Sequence, residues 1–461
     1  MPFIGIDLGT SFIKAAILDV DSDQLLHVRR IPFPEPISAL DPLKREFEPA
    51  SVISAVTSIL REVTGAAPPL EGLVMCTQMS SMILVDDQGQ PRSNFIGWRD
   101  QRALEPHPSG SGTYYEVLKQ RLTAKQKREL GSEMPTGSPI SFLFWMAEQG
   151  KLEPGLVPLS LADFVLTALC GSPPSVESTN AMSYELLNLE ALDWHKEVIQ
   201  ELGFEKLHWP RVHREGEVVG TLSIGGKKIP CYTPVGDYQC ALAGALLAED
   251  ELSLNISTGS QVSRLTNHLE LGDYQTRPFF DGKFTNTFSH LPAGRSLDVL
   301  VDLLSEIPKS SGAAIPNPWD YIVSAAEAVE KTDLRVNLSF FPGPCGEKGA
   351  ITGIRERNLT VGTLFHAAFE NMAQNYYDCA LRIWPDRSWH NIVFSGGLAR
   401  KAGLLRTLVQ DKFQTKSRLC PFEEDTLLGL AVLARAFSGR ASSVQQAMQD
   451  VRRQFKVENN S

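Results

Sequence analysis

Apolar positions at the start of the chain fall into two short runs, Phe3-Ile-Gly-Ile6 and Ile13-Lys-Ala-Ala-Ile-Leu18, on either side of a Gly/Thr/Ser turn, a pattern that predicts a β-hairpin. Residues 51–64 change period. Val52, Val56, Ile59, Leu60 and Val63 share one helical face behind Ser51, which the pattern reads as the cap. Leu73-Val-Met-Cys76 then reads as a buried strand, and strand alternating with helix indicates an α/β unit around a central sheet.

A second unit is expected from about residue 228, after the turn-rich stretch 216–226. It repeats the opening logic: Ser253-Leu-Asn-Ile256, a polar turn Ser257-Thr-Gly-Ser260, then Val262-Ser-Arg-Leu265. Beside Ile6-Asp-Leu-Gly-Thr-Ser11 this suggests a duplicated hairpin. Residues 361–384 carry apolar positions at helical spacing. Asn391-Ile-Val-Phe-Ser395 reads as a strand running into Gly396-Gly397, followed by a helix over Leu404–Phe413. Strand, glycine turn and helix in that order bring backbone amides close to a nucleotide.

Composition narrows the function classes. At roughly 150 residues per domain, 461 residues make two large units or three smaller ones. A net charge of −10, with no block of like charge, argues against a nucleic-acid partner. The apolar run Phe142–Ala147 is far short of the roughly 20 residues that cross a bilayer, so no membrane partner is expected. Seven widely spaced cysteines without a Cys-x-x-Cys pair fit neither a disulfide framework nor a zinc knuckle, and the amino terminus has no secretory pattern. Together these features predict a soluble cytoplasmic protein.

Two segments can carry chemistry. In Asp7-Leu-Gly-Thr-Ser11, with Lys14 three residues on, a glycine turn can approach an anion, hydroxyls and amides can bond phosphate oxygens, and Asp7 can hold a hydrated Mg²⁺. The same residues also suit an ordinary β-turn. In Gly236-Asp-Tyr-Gln239, ahead of the small-residue stretch Cys240–Ala245, Asp237 reads either as a helix N-cap or as a carboxylate beside a transferring phosphate.

The order of these motifs resembles the FGGY family of carbohydrate kinases, within the sugar kinase, Hsp70 and actin superfamily. The resemblance runs from Asp7 to the helix Asp425–Ala434, and Thr136–Met146, Leu161–Gly171, Asn180–Asn188 and Asp193-Trp194 look most like the family's sedoheptulokinase branch. It implies an α/β fold of two actin-like, ribonuclease H-like domains with mixed central sheets flanked by helices and a ligand cleft between them. Residues 1–227 would mainly bind sugar and 228–461 mainly ATP.

It also implies site residues. Asp7, Gly9, Thr10, Ser11 and Lys14 form a first phosphate loop with Mg²⁺ held at Asp7 through water, and Thr258 and Gly259 form a second. Gly396 and Gly397 belong to the adenosine segment, framed by 349–353. Asp237 matches the catalytic base, and Gln78, Met79 and Ser80 fall on the substrate loop. Trp98 and Asp100, in Trp98-Arg-Asp-Gln-Arg102, would face the sugar, Trp98 lying against its carbon face while Asp100 and Arg102 order the loop or bond hydroxyls. Two positions depart from the family pattern: Ser80 where many pentulose and heptulose kinases have His, and Lys401 where Asn is common.

The expected reaction is phosphorylation by ATP of a primary hydroxyl of a ketose or related polyol, with sedoheptulose ahead of xylulose and ribulose, by a monomer or homodimer. The competing expectations are a chaperone-like or actin-like ATPase without a sugar acceptor, and a sugar sensor that has lost turnover.

Overall fold

The computed structural model describes residues 1–38, 41–65, 69–224, 226–312 and 317–455. Its contacts divide the chain into two compact units, and the division is not a single cut at 227/228. The first unit takes Met1–Leu246, Thr266–Phe284 and the segment that begins at Glu424, and the second takes Leu247–Leu265 and Thr285–Glu423. The reason is local. The chain after residue 228 still supplies strands to the first sheet, and the helix from Asp425 returns to pack on that sheet's opening strands.

The first unit opens with β1 (Phe3–Leu8), β2 (Phe12–Asp19) and β3 (Gln24–Pro32), the predicted hairpin and its extension. Helix α1 (Pro49–Thr64) buries the five residues of the predicted face. It starts two residues before Ser51, because Pro49 presets the first turn, and Ser51 donates its hydroxyl to the Glu48 carbonyl instead of capping. β4 (Gly72–Thr77) is wholly buried. Farther on come the short strands β5 (Ser175–Glu177) and β6 (Arg211–His213), which pair in parallel, then β7 (Val218–Ile224), β8 (Lys227–Tyr232) and β9 (Val235–Gly236).

The main sheet runs β7-β8-β4-β1-β2-β3, with β9 also pairing with β4. β1 is antiparallel to β2 and parallel to β4. The carboxyl ends of β1, β4 and β9 therefore bring Asp7, Thr77 and Gly236 to one edge of the sheet, the one formed by the strand termini, in register as Asp7↔Cys76 and Gly236↔Thr77. Two helices begin at that edge, α2 (Asp237–Gly244) and α3 (Asp425–Phe437). They cross backbone to backbone: a Cβ on Gly244 would lie 1.8 Å from the Asp425 carbonyl oxygen, and one on Gly429 would lie 1.9 Å from that of Cys240.

The second unit repeats the local order. β10 (Glu251–Ile256) and β11 (Ser260–Thr266) form an antiparallel hairpin, and β10 is parallel to β13 (Asn391–Ser395) in the order β12 (Phe284–Leu291), β11, β10, β13, β14 (Lys416–Leu419). A hairpin whose first strand also takes a parallel neighbour is thus present twice, as the matched sequence segments suggested. The helix Val361–Ile383 is where the 3.6-residue period placed it. Among the described residues no helix is long and apolar enough to cross a membrane.

Candidate active site

Asp7 is the last polar residue of a strand that is otherwise apolar and buried, and it is 4% exposed. Its Oδ2 accepts a hydrogen bond from the Thr426 hydroxyl at 2.7 Å, its Oδ1 faces the Cys76 thiol at 3.6 Å, and the Lys14 ammonium stands 3.7 Å away. Lys14 also pairs with Glu424 at 2.5 Å. Burial raises the pKa of the Asp7 carboxyl, and the attraction of Lys14 and the Thr426 and Cys76 hydrogen bonds only partly offset that. For Lys14 burial acts downward, but the pull of Asp7 and Glu424 outweighs it and holds the ammonium above its usual range.

Asp237 is the first residue of α2 and Gly236 occupies the N-cap, so Asp237 is not the cap; its side chain is half-buried. Its pKa is pushed up to about 7, chiefly by burial and then by repulsion from Asp7, while a Tyr238 backbone N–H and the Arg277 guanidinium act against the shift. Asp425, the first residue of α3, is pushed up to about 6 by burial, with Asp7 and Glu424 adding repulsion. Two helix starts and one strand end thus bring three carboxylates into mutual electrostatic range. Nearby, Arg277 lies 4.4 Å over the Tyr238 ring and makes a two-pronged ion pair with buried Glu133 at 2.8 and 2.5 Å.

The predicted sugar-side residues gather in this same unit. The Trp98 indole N–H donates to the Thr10 hydroxyl at 2.8 Å, and that hydroxyl donates to the Gln78 amide oxygen at 3.3 Å. Met79 lies against Gly236, the residue before Asp237. Ser80 adopts φ 56°, a left-handed conformation that few non-glycine residues adopt. Ser11 is exposed and Gly9 closes the hairpin turn through its N–H to the Phe12 carbonyl at 3.1 Å.

Asp100 is placed differently. It is wholly buried, and its two oxygens accept four donors: the backbone N–H of Arg45 and of Arg102, and the Arg102 Nε and Nη2. Those fill a carboxylate's capacity. Arg102 in turn holds Glu46 at 2.6 Å. Of the two uses foreseen for this pair, ordering the loop that carries Trp98 is the one this geometry serves, and the pair is buried rather than on the surface.

The second unit assembles the remaining predicted residues. The turn at Thr258 and Gly259 is exposed and is held from behind by backbone bonds from Gly294 to Ser257 and from Arg295 to Thr258. Ser395 accepts a hydrogen bond from Asn255 at 2.9 Å. Gly396 has φ 89°, and a Cβ there would come 2.4 Å from the Ile256 carbonyl oxygen, so only glycine lets this turn sit against the end of β10; Gly397 faces open space. Lys401 is exposed at the end of the short helix Gly397–Lys401.

Glu424, Asp425, Thr426, Arg277 and Glu133 were not singled out from the sequence. An acidic pair at the start of the small-residue helix was the available signal for the first two, whereas Arg277 lies in a strand with nothing to mark it. Among the described residues no group of three or more His, Cys, Asp or Glu is arranged to hold a metal ion. A hydrated Mg²⁺ fits nonetheless, since it keeps several waters and needs one or two carboxylates, and Asp7 has the Asp237 and Asp425 carboxylates within electrostatic range.

Comparison with known proteins gives a consistent result. Residues 3–244 match the N-terminal domain of the FGGY family of carbohydrate kinases. The chain is 23% identical over 460 residues to sedoheptulokinase from Homo sapiens, covering 89% of this chain and 92% of that protein. Over 282 residues it is 24% identical to glycerol kinase from Photorhabdus laumondii, covering 55% of this chain and 51% of that one. Among solved structures it resembles ligand-bound xylulose kinase from Lactobacillus acidophilus, with a TM-score of 0.82 at 17% identity over 99% of this chain and 96% of that one. Plasmodium falciparum glycerol kinase with ADP also gives a TM-score of 0.82, at 17% identity over 98% and 92% of the two chains. The fold is therefore the two-domain actin-like α/β fold of those enzymes.

Proposed function

The chain belongs to the FGGY family of carbohydrate kinases and is an ATP-dependent sugar phosphotransferase, and from that premise we propose that it phosphorylates a primary hydroxyl of a ketose or related polyol, with Asp237 as the general base. The observation that carries the proposal is Asp237 itself: a half-buried carboxylate at a helix start, beside Asp7, with a pKa near 7. A base poised near the working pH combines a usable ionised fraction with a real drive to take a proton. A structural carboxylate would be fully paired, as Asp100 is.

In this reading Asp237 orients the acceptor hydroxyl and takes its proton as the oxygen bonds to the γ-phosphorus and the bond to the β-phosphate oxygen breaks. Phosphoryl transfer demands positioning and charge neutralisation more than covalent help. Lys14 and the amides at Gly9, Thr10 and Ser11, with the turn at Thr258 and Gly259, would meet the phosphates. Gly396 and Gly397 would lie under the adenosine. Asp7 would hold Mg²⁺ through water, and the ion would neutralise the charge developing between the phosphates. Trp98, fixed by its bond to Thr10, would support the carbon face of the sugar, with Gln78, Met79 and Ser80 along the same wall.

Sedoheptulose is favoured because the Homo sapiens relative that aligns with 89% of the chain, at 23% identity, is a sedoheptulokinase. A coupled ADP-release assay over sedoheptulose, xylulose, ribulose, glycerol and several aldoses tests this. Sedoheptulose is expected to give the highest kcat/KM. Xylulose or ribulose ahead of it would move the assignment within the ketoses, and ADP release indifferent to every sugar would remove the acceptor altogether.

The pH profile is a second test. Asp237 must be ionised to act, and its pKa stands at about 7, so kcat/KM is expected to rise with unit slope on the acid side and level off above about pH 7. An acid limb centred near pH 4, where an ordinary carboxylate titrates, would mean that Asp237 does not control the rate.

A further inference from the structure

The Asp193-Trp194 motif is not used by the site described above. It lines a cavity of about 660 Å³ in the first unit, within the range of small-molecule sites. The Trp194 and Trp209 rings are 4.7 Å apart there. Both indole N–H groups are spent on backbone carbonyls, of Pro210 and Phe204, so neither ring offers the cavity a free polar edge; Trp194 is buried and Trp209 is half-buried. Lys196, Arg211, Asp193 and Glu205 line the same cavity, two cations and two carboxylates that leave the lining formally neutral.

This chemistry selects a ligand class. A wholly apolar ligand would strip water from four charged groups without replacing it. A phosphorylated or otherwise anionic ligand would meet Asp193 and Glu205 as well as the cations. A neutral polyhydroxylated ring suits both features, packing its C–H groups against the half-buried Trp209 while its hydroxyls donate to carboxylates and accept from ammonium and guanidinium. Lys196 and Glu205 have no ion-pair partner among the described residues, and Arg211 reaches only Glu217, at 3.5 Å on the surface, so all three can turn to a ligand.

The cavity wall also leads to Asp237. Arg211 begins β6, which pairs with β5 as Arg211↔Ser175 and His213↔Glu177. The buried Glu177 carboxylate accepts from the backbone N–H of Thr179 at 2.8 Å and from its hydroxyl. That hydroxyl accepts the N–H of Gly236, the residue before Asp237, at 2.8 Å. One continuous set of backbone and side-chain bonds therefore joins the cavity to the start of α2.

We propose that the Trp194–Trp209 cavity is a second carbohydrate site, for a neutral saccharide, and that its occupancy is transmitted through β6, β5 and Thr179 to Asp237. Saturation-transfer NMR with four neutral disaccharides (maltose, sucrose, lactose and cellobiose) tests the binding half without any turnover. At least one is expected to bind saturably to the wild type and equally to Asp237→Asn. Binding should weaken tenfold or more in Trp209→Ala and by a smaller factor in Lys196→Ala and Glu205→Ala, two exposed positions that keep the test valid should the tryptophan variant unfold. No saturable binding by any of the four, or binding unchanged in the Lys196 and Glu205 variants, overturns the site. The transmission half rests on the kinase reading: the bound disaccharide at saturation is expected to change kcat for ADP release at least twofold in the wild type and to lose that effect in Lys196→Ala. An unchanged kcat with binding intact removes the link to Asp237.

Discussion

Asp237→Asn is expected to lower kcat by about 10²–10⁴-fold, or roughly 3–5 kcal/mol of barrier, with ATP affinity close to that of the parent. The amide keeps the size and most of the hydrogen bonding but cannot take a proton. The expected stability effect has the opposite sign, which separates chemistry from folding. The carboxyl pKa is raised in the folded state, so its contribution to stability is present in acid and is lost as pH rises through about 7. Above that pH the parent carries an ionised Asp237 repelled by Asp7, and the asparagine variant does not. Thermal unfolding at pH 8 is therefore expected to show the variant at least as stable as the parent while the ADP-release assay shows it nearly inactive. Turnover near the parental rate would take Asp237 out of the mechanism.

The parts of this molecule that were legible in the sequence are those fixed by short-range pattern. The β1–β2 hairpin, the buried face of α1 and the helix over 361–383 each follow from one period of apolar residues in one stretch of chain. Asp7 and Asp237 stood out for a related reason: each is a polar residue where a strand ends or a helix begins, next to small residues. What pattern could not supply is what the return of the chain brings together. Glu424, Asp425 and Thr426 reach Asp7 from more than four hundred residues away in sequence, and Thr426 reads as one more polar residue before an apolar helix until its hydroxyl is seen 2.7 Å from Asp7. Asp100 fails in the opposite direction. Its segment matches a sugar-facing motif, but with Arg102 two residues on and Arg45 across the loop, every oxygen is taken.

The same long return makes Gly429 a position where a single methyl group should be costly. Gly429 on α3 and Gly244 on α2 are where the two helices touch, and an added Cβ at Gly429 would sit 1.9 Å from the Cys240 carbonyl oxygen and 2.9 Å from its Sγ. No rotamer relieves a clash between a Cβ and a backbone carbonyl; the helices must move apart. Overpacking commonly costs about 1–3 kcal/mol, and a clash against backbone belongs at or above the upper end. Separation would also stretch the Cys240 thiol contact to the Thr426 carbonyl, now 3.2 Å, and with it the Thr426 bond that orients Asp7. Gly429→Ala is therefore expected to unfold at least about 6 °C below the parent, at roughly 2–4 °C per kcal/mol for a domain of this size, and to lose ADP release even where it remains folded. Gly259→Ala is the stability control, because a Cβ there meets no atom within 4 Å and its unfolding temperature should stay at the parental value. Equal unfolding temperatures for Gly429→Ala and the parent would show that α2 and α3 can part freely, and the helix crossing would no longer explain how Asp237 and Asp425 are held beside Asp7.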